Sequence, residues 1–214
     1  HNLDQKALAR PIGVIAWACY GEHVPRGPPI HVWGPPMEPN EPRQLILYNL
    51  TLPLASRNEA PDPLRAADPA SVRFVRAVAA PGRYLQAVEY TDLHGDAWHY
   101  VFYLRQNGDG RWTMESGGGG GGGLVTRPYP SLNLAASWGQ FGMWAGGRVS
   151  DLGTGVTRAR LRGPDGLVVE DTITDGYALF MTDRPVPDPS VLEAELYNAA
   201  GDLVGSHKPF PQRR

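Results

Sequence analysis

The sequence predicts a mainly β protein, an antiparallel β meander domain with a proline-rich strap followed by a β-sandwich, and three observations carry that prediction. Short runs rich in Val, Tyr, Phe and Trp recur along the chain with alternating apolar and polar positions. Four tetrapeptides between such runs end in glycine, and three of them begin with Asp or Asn: "DLHG" (Asp92 to Gly95), "NGDG" (Asn107 to Gly110), "GPDG" (Gly163 to Gly166) and "NAAG" (Asn198 to Gly201). That is the grammar of a type I turn closed by a residue at positive φ. Finally, 26 Gly and 21 Pro among 214 residues supply many turns, while 42% apolar residues leave enough for a core.

Taken in order, "LDQKALA" has the composition of a short helix, and the apolar stretch "PIGVIAWAC" after it is too short to span a bilayer. Seven prolines between Pro25 and Pro42 exclude a central strand or helix, because each lacks a donor and fixes φ, so this segment reads as an extended surface strap. "QLILYNLTLPL", from Gln44, has the length and apolar content of a buried strand, which argues against modification of the acceptor pattern "NLT" at Asn49. "PDPLRAADP" reads as a turn or short helix bounded by prolines. Strands are expected at Val72 to Ala79, Tyr84 to Thr91, Ala97 to Arg105 and Arg111 to Ser116, forming a meander.

Seven glycines, Gly117 to Gly123, break the pattern, and polyglycine has the most backbone entropy to lose on ordering. The expected organisation is therefore a domain at 1–116, a glycine-rich linker and connecting segment at 117–135, and a β-sandwich at 136–214. The run satisfies G-x-G-x-x-G trivially, yet "LVTRPYPS" follows it, with two prolines and no helical period, so neither a dinucleotide fold nor a phosphate loop fits. Beyond it, "FGMWAGGRV", "GVTRARLRG", "LVVEDTITDG", "YALFMTD", "SVLEAELYN" and "DLVGSHKPF" supply six short strands. Through "VTRARLRGPDG", "ITDGYALF" and "LEAELYNAAGDLVG", the stretch Phe141 to Phe210 resembles an immunoglobulin-like or transthyretin-like β-sandwich module. The resemblance implies binding or spacing more often than catalysis. It departs from antibody domains in having no Cys pair and no Trp at the usual core strand.

Charge excludes one large class of partner. Residues 1 to 116 carry 11 basic and 12 acidic groups and residues 124 to 214 carry 9 and 10, so neither half has the basic excess that nucleic acid requires. Cys19 is the single cysteine, which excludes an intrachain disulfide.

The cluster "TDLHGDAWHY" places Asp92, His94, Asp96 and His99 within eight residues, and turn grammar explains half of it, since Asp92 holds the first corner. A three-residue loop Leu93 to Gly95 would pair Asp92 with Asp96, Tyr90 with Trp98 and Glu89 with His99. Val88, Tyr90, Trp98, Tyr100 and Phe102 then share the core face, and Glu89 and His99 share the other, where the carboxylate would favour the imidazolium. Asp92, Asp96 and His99 are the weaker metal-ligand reading; no metal and no cofactor are expected.

Arg158, Arg160 and Arg162 alternate on one strand face, as an anion-binding stripe or as a solvated face neutralised by Glu170 or Asp171. Six tryptophans are either core or stacking platforms for sugar rings; Trp33 and Trp138 are the candidates for exposure, with Trp144 beside the inter-domain seam. Ser137, Asp183 and His207 occur in hydrolase order, but "AASWG" lacks a strand-to-helix context. His1 is not a translation start, so either a cloning boundary or the removal of a signal or membrane-anchored leader is expected, which favours an exported protein; an amino-terminal copper brace at His1 would need a mature amino terminus and a second, well-placed histidine, and nothing else in the chain resembles that family.

The expected function is a noncatalytic, extracytoplasmic binding or structural module, with a protein partner or a cell-envelope glycan, no nucleic acid and no membrane insertion. Two alternatives stand beside it: glycan binding through exposed Trp, and a small-ligand or enzymatic pocket near Glu89 and His99.

Overall fold

The computed structural model describes residues 14–15, 41–52, 62–121, 128–151 and 153–210. The proline-rich strap, Cys19 and Trp33 lie outside them. Twelve strands among the described residues form three antiparallel sheets, with one α-helix. The first strand, β1, is the pair Val14–Ile15.

The run expected as a buried strand from Gln44 is instead helix α1, Pro42–Leu50. Pro42 fits the first turn, where its missing N–H is not needed, and Ile46 and Leu50 are the buried residues, one helical turn apart. Burial at that spacing outweighs the apolar density that suggested a strand. Asn49 Nδ2 donates to the Leu45 carbonyl at 2.8 Å, so the "NLT" asparagine is engaged on the helix surface. Two single-turn 3₁₀ helices follow, Pro63–Arg65 and Pro69–Ser71, as the proline-bounded sequence implies. Each begins at an aspartate whose side chain accepts from the N–H two residues on: Asp62 from Leu64 at 2.9 Å, and Asp68 from Ala70 at 3.0 Å.

The meander is β2 (Arg73–Ala80), β3 (Arg83–Thr91), β4 (Ala97–Gln106) and β5 (Trp112–Gly121), paired in that order. Its central register is the expected one, with Glu89 opposite His99 and Tyr90 opposite Trp98. The four turn glycines adopt positive φ, 93° at Gly95, 84° at Gly110, 69° at Gly166 and 88° at Gly201. Val88, Tyr90 and Phe102, with Trp98 and Tyr100 packed beside them, build a core with Ile46 and Leu50 of α1 on the outer face of this sheet.

The glycine run is not a linker over Gly117 to Gly121: those residues complete β5 and pair with Trp98 to Phe102 of β4. Rings from β4 occupy the space that side chains on β5 would fill. A Cβ on Gly117 would lie 2.6 Å from Tyr100 Cε1, and one on Gly121 3.1 Å from the Trp98 ring. Neighbouring aromatics covering a glycine strand supply the packing that the strand itself lacks.

The remaining strands are β6 (Ser131–Gly139), β7 (Gly142–Ser150), β8 (Val156–Arg162), β9 (Val168–Thr172), β10 (Tyr177–Thr182), β11 (Glu193–Asn198) and β12 (Leu203–His207). One sheet has the order β1-β6-β7-β10, the other β12-β11-β8-β9. The six strands expected beyond the glycine run are all present; β6 is additional, inside what reads as a connecting segment.

The β6-β7-β10 sheet is the middle of three layers, and strand alternation divides its side chains. Leu134, Ala136, Met143 and Phe180 point to the β8-β11 sheet and join Ala159, Leu161 and Leu196 in one core, a β-sandwich. Ala135, Trp144, Tyr177 and Leu179 point the other way and join Leu85, Ala87 and Val101 of the meander. The first of these cores uses residues 132–210 alone, whereas the second draws on both sides of the glycine run.

Candidate functional site

The tryptophans read as stacking platforms are placed by this layering. Trp138 is buried in the sandwich core, and Trp144 is buried between meander and central sheet. The Trp144 ring stacks on Tyr103 at 6.0 Å, and its indole N–H donates to Ser116 Oγ at 2.9 Å. Neither offers a free face to a sugar ring, because strand alternation turns each into a core. At the β6–β7 hairpin it is Phe141 that is exposed.

The arginine stripe lies on the outer face of the β8-β11 sheet and is occupied by carboxylates. Arg160 Nε donates to Glu170 at 2.5 Å, the register having set Glu170 opposite Arg160. Arg160 and Arg162 each reach Glu195 at 3.4 Å, and Arg158 stands 3.9 Å from Glu170. Tyr197 donates to Glu195 at 2.7 Å, a bond that holds that carboxyl below its usual range. The Arg158 and Arg160 guanidinium groups also lie over the Tyr197 ring, 4.7 and 5.1 Å from its centroid. Asp171, the other acid considered for this role, points to the opposite face. There it pairs with Arg76 at 2.5 Å and accepts from the Leu179 N–H at 2.6 Å.

Within "TDLHGDAWHY", Asp92 is a buried turn anchor. Its Oδ1 accepts from the N–H groups of His94 (3.0 Å) and Asp96 (2.9 Å), and its Oδ2 accepts from Trp98 Nε1 (2.9 Å). Burial pushes its carboxyl up, but these bonds outweigh burial and hold it low. The His94 ring meets Asp62 at 2.9 Å. Among the described residues, no group of three His, Cys, Asp or Glu side chains is arranged to hold a metal.

Ser137 and His207 are not partners. His207 Nε2 sits 3.2 Å from the Leu132 backbone N–H, and Leu132 lies five positions along β6 from Ser137, about 17 Å in an extended strand. Asp183 is taken up in an ion pair with Arg83.

What the fold does bring together is a set of polar groups at one end of the interface between meander and central sheet. On the meander, register aligns Arg73, Glu89, His99 and Gly120 in one row across β2 to β5. On the central sheet it aligns Tyr177, Arg148 and Asn133 across β10, β7 and β6. The rows meet where the Tyr177 hydroxyl donates to Glu89 Oε1 at 3.0 Å, and Arg73 pairs with the other carboxylate oxygen. Beside them opens a shallow cleft of about 290 Å³, with Glu89, Thr91, Ala97 and His99 among its lining and Arg148 contributed by the central sheet.

The electrostatics of this cleft are uneven. Burial pushes Glu89 up, yet the bonds from Arg73 and Tyr177 and the charges of Arg73 and Arg148 bring it below its ordinary value, so it is ionised. Burial and the adjacent carboxylate push the Tyr177 phenol far up, so it is a fixed donor. His99 departs from the expected imidazolium: burial and the Arg148 charge push it down, outweighing the pull of Glu89. Among the described residues, no hydrogen bond or ion pair engages the half-buried Arg148 guanidinium or the His99 ring. Asn133 Nδ2, next to Arg148 in register, is buried without an acceptor. The cleft therefore combines a satisfied acid with a cation that no hydrogen bond or ion pair engages and a neutral imidazole. Glu89 and His99 are legible in the sequence; Arg148 and Tyr177 are not, because no local motif marks them and only the stacking of the two sheets brings them here. No family model matches this chain, and no curated protein or solved structure matches it.

Proposed function

We propose that this chain is a noncatalytic binding module that holds a small polar ligand in the cleft formed by Glu89, His99 and Arg148. The observation that carries the reading is Arg148, a half-buried cation facing the cleft with no acid of its own, since Arg73 and Tyr177 already engage the neighbouring Glu89. Partial burial strips a charge of some of its hydration, and a ligand that supplies a partner recovers that cost. The noncatalytic reading rests on the same groups. Glu89 and Tyr177 hold each other well away from proton exchange near neutral pH, and among the described residues no hydrogen bond orients His99 as a base. The kinship of Phe141 to Phe210 with immunoglobulin-like or transthyretin-like modules belongs to this proposal, with the sandwich architecture compatible with it, and an extracytoplasmic setting is proposed alongside.

A ligand-observed NMR screen with small polar fragments tests the site. Ala97 is exposed at the cleft, so Ala97→Trp should fill it while leaving Arg148 in place. Fragments bound by the wild-type protein should lose binding to this variant, with its circular dichroism unchanged. Fragments that bind both proteins equally would put the site elsewhere.

A further inference from the structure

We infer that the cleft selects a ligand bearing a single carboxylate, seated between the Arg148 guanidinium and the His99 ring, and that binding it draws a proton onto His99. This rests on the cleft being the ligand site and goes beyond it by naming the chemistry of the head group and its coupling to pH.

The charge count around the site favours one negative charge. Arg73 and Glu89 compensate each other as an ion pair, which leaves Arg148 as the local excess. Asp175, in the tight turn before β10, acts on Arg73 and adds a further acid to this end of the molecule. With Arg73 and Glu89 compensating each other, a phosphate dianion would bring two negative charges to Arg148 alone and meet Asp175 as well, whereas a monoanionic carboxylate matches Arg148 one for one. Geometry agrees, because a planar guanidinium offers two parallel donors that fit a carboxylate edge. Small residues complete the pocket. Thr91 and Ala97 are among its lining, and behind His99 on β5 the nearest atom to a Cβ added at Gly120 would be His99 Cε1 at 3.7 Å.

The coupling to protons follows from what surrounds His99. It faces Glu89 on β3, Arg148 on β7 and backbone alone at Gly120 on β5; Arg73 on β2 and Tyr177 on β10 are spent on Glu89. Burial and Arg148 hold the empty-site imidazole neutral. A carboxylate on Arg148 cancels that repulsion and adds an acceptor, so both changes favour the imidazolium. Proton uptake on binding means that affinity rises as pH falls through the ligand-bound titration midpoint and levels off below the ligand-free one, by up to about tenfold per pH unit.

Isothermal titration with benzoate and its uncharged isostere benzamide, at pH 7.5 and 5.5, tests the inference, together with the His99 Cε1–H resonance followed through pH. Benzoate should bind at least about tenfold more tightly than benzamide. The preference should vanish in Arg148→Gln and persist in Arg148→Lys. Benzoate should also raise the His99 midpoint, and His99→Gln should retain the preference for charge while losing the pH dependence. Equal binding of benzamide and benzoate, blocked by Ala97→Trp, would overturn the carboxylate assignment and leave the cleft standing. Benzoate binding that Ala97→Trp does not affect would overturn both.

Discussion

The Tyr177 hydroxyl donates to the Glu89 carboxylate at 3.0 Å, joining β10 of the central sheet to β3 of the meander. The two residues are 88 positions apart, and their bond ties the two sheets together at this end of the seam. Arg76 repeats the arrangement nearby: it pairs with Asp171 and donates to the Tyr177 carbonyl at 2.7 Å. The meander is thus held to the sandwich by apolar packing around Trp144 and by charged contacts at its rim.

Removing the hydroxyl should expose this coupling. Tyr177→Phe is expected to destabilise the protein by about 1.5–3 kcal/mol, the range for a hydrogen bond to a charged group. Glu89→Gln should cost a similar amount, and the double variant less than the sum of the two, as urea unfolding would show. Full additivity would mean that the bond contributes nothing to stability.

Acid should weaken the seam in two stages. His99 and Glu89 both have folded-state pKa values below their ordinary ones, so the unfolded chain binds more protons and stability rises with pH in both cases. The His99 contribution is complete above its unfolded value near 6.5 and is lost below it; that of Glu89 is complete above about 4.5 and is lost below that. Thermal unfolding across pH 4 to 8 should therefore show a decline beginning near pH 6.5 that His99→Gln removes. An unchanged decline in that variant would assign it to other groups.

The glycine strand makes a contrast within two adjacent positions. A Cβ at Gly119 would lie 2.1 Å from the His99 carbonyl oxygen, whereas at Gly120 its nearest neighbour is His99 Cε1 at 3.7 Å. Gly119→Ala should cost about 2 kcal/mol or more through overpacking, and Gly120→Ala should be close to neutral. Comparable melting temperatures for the two variants would argue that the run is not packed as a strand.

How far this was legible in the sequence follows from the range of each interaction. Turn grammar at Asp92 to Gly95 places Glu89 opposite His99 and assigns both faces of the hairpin, because register between neighbouring strands is set locally. Composition misleads at Gly117 to Gly121, where the packing comes from rings on β4 rather than from the residues themselves. Apolar density likewise hides the one-turn spacing of Ile46 and Leu50. Trp138 and Trp144 are buried because β6 and β7 lie in a layer covered on both faces, a property of sheet stacking that no window along the chain contains. The same stacking sets Arg148 above His99, so half of the candidate site was readable and half was not.

A fragment of residues 130 to 214 keeps the sandwich core intact and uncovers Trp144, Tyr177 and Leu179. It should give dispersed amide resonances and self-associate through the uncovered face, seen as a concentration-dependent sedimentation coefficient. A collapsed, poorly dispersed spectrum would show that the sandwich cannot fold without the meander.

Ligand binding at the seam is tested most directly by chemical-shift mapping. Backbone and arginine side-chain resonances of the full chain would be followed during titration with a fragment that binds. Shifts should concentrate at Thr91, Ala97, His99 and the Arg148 Nε–H. Shifts confined to the outer face of Arg158, Arg160 and Arg162, with Arg148 and His99 unmoved, would contradict it.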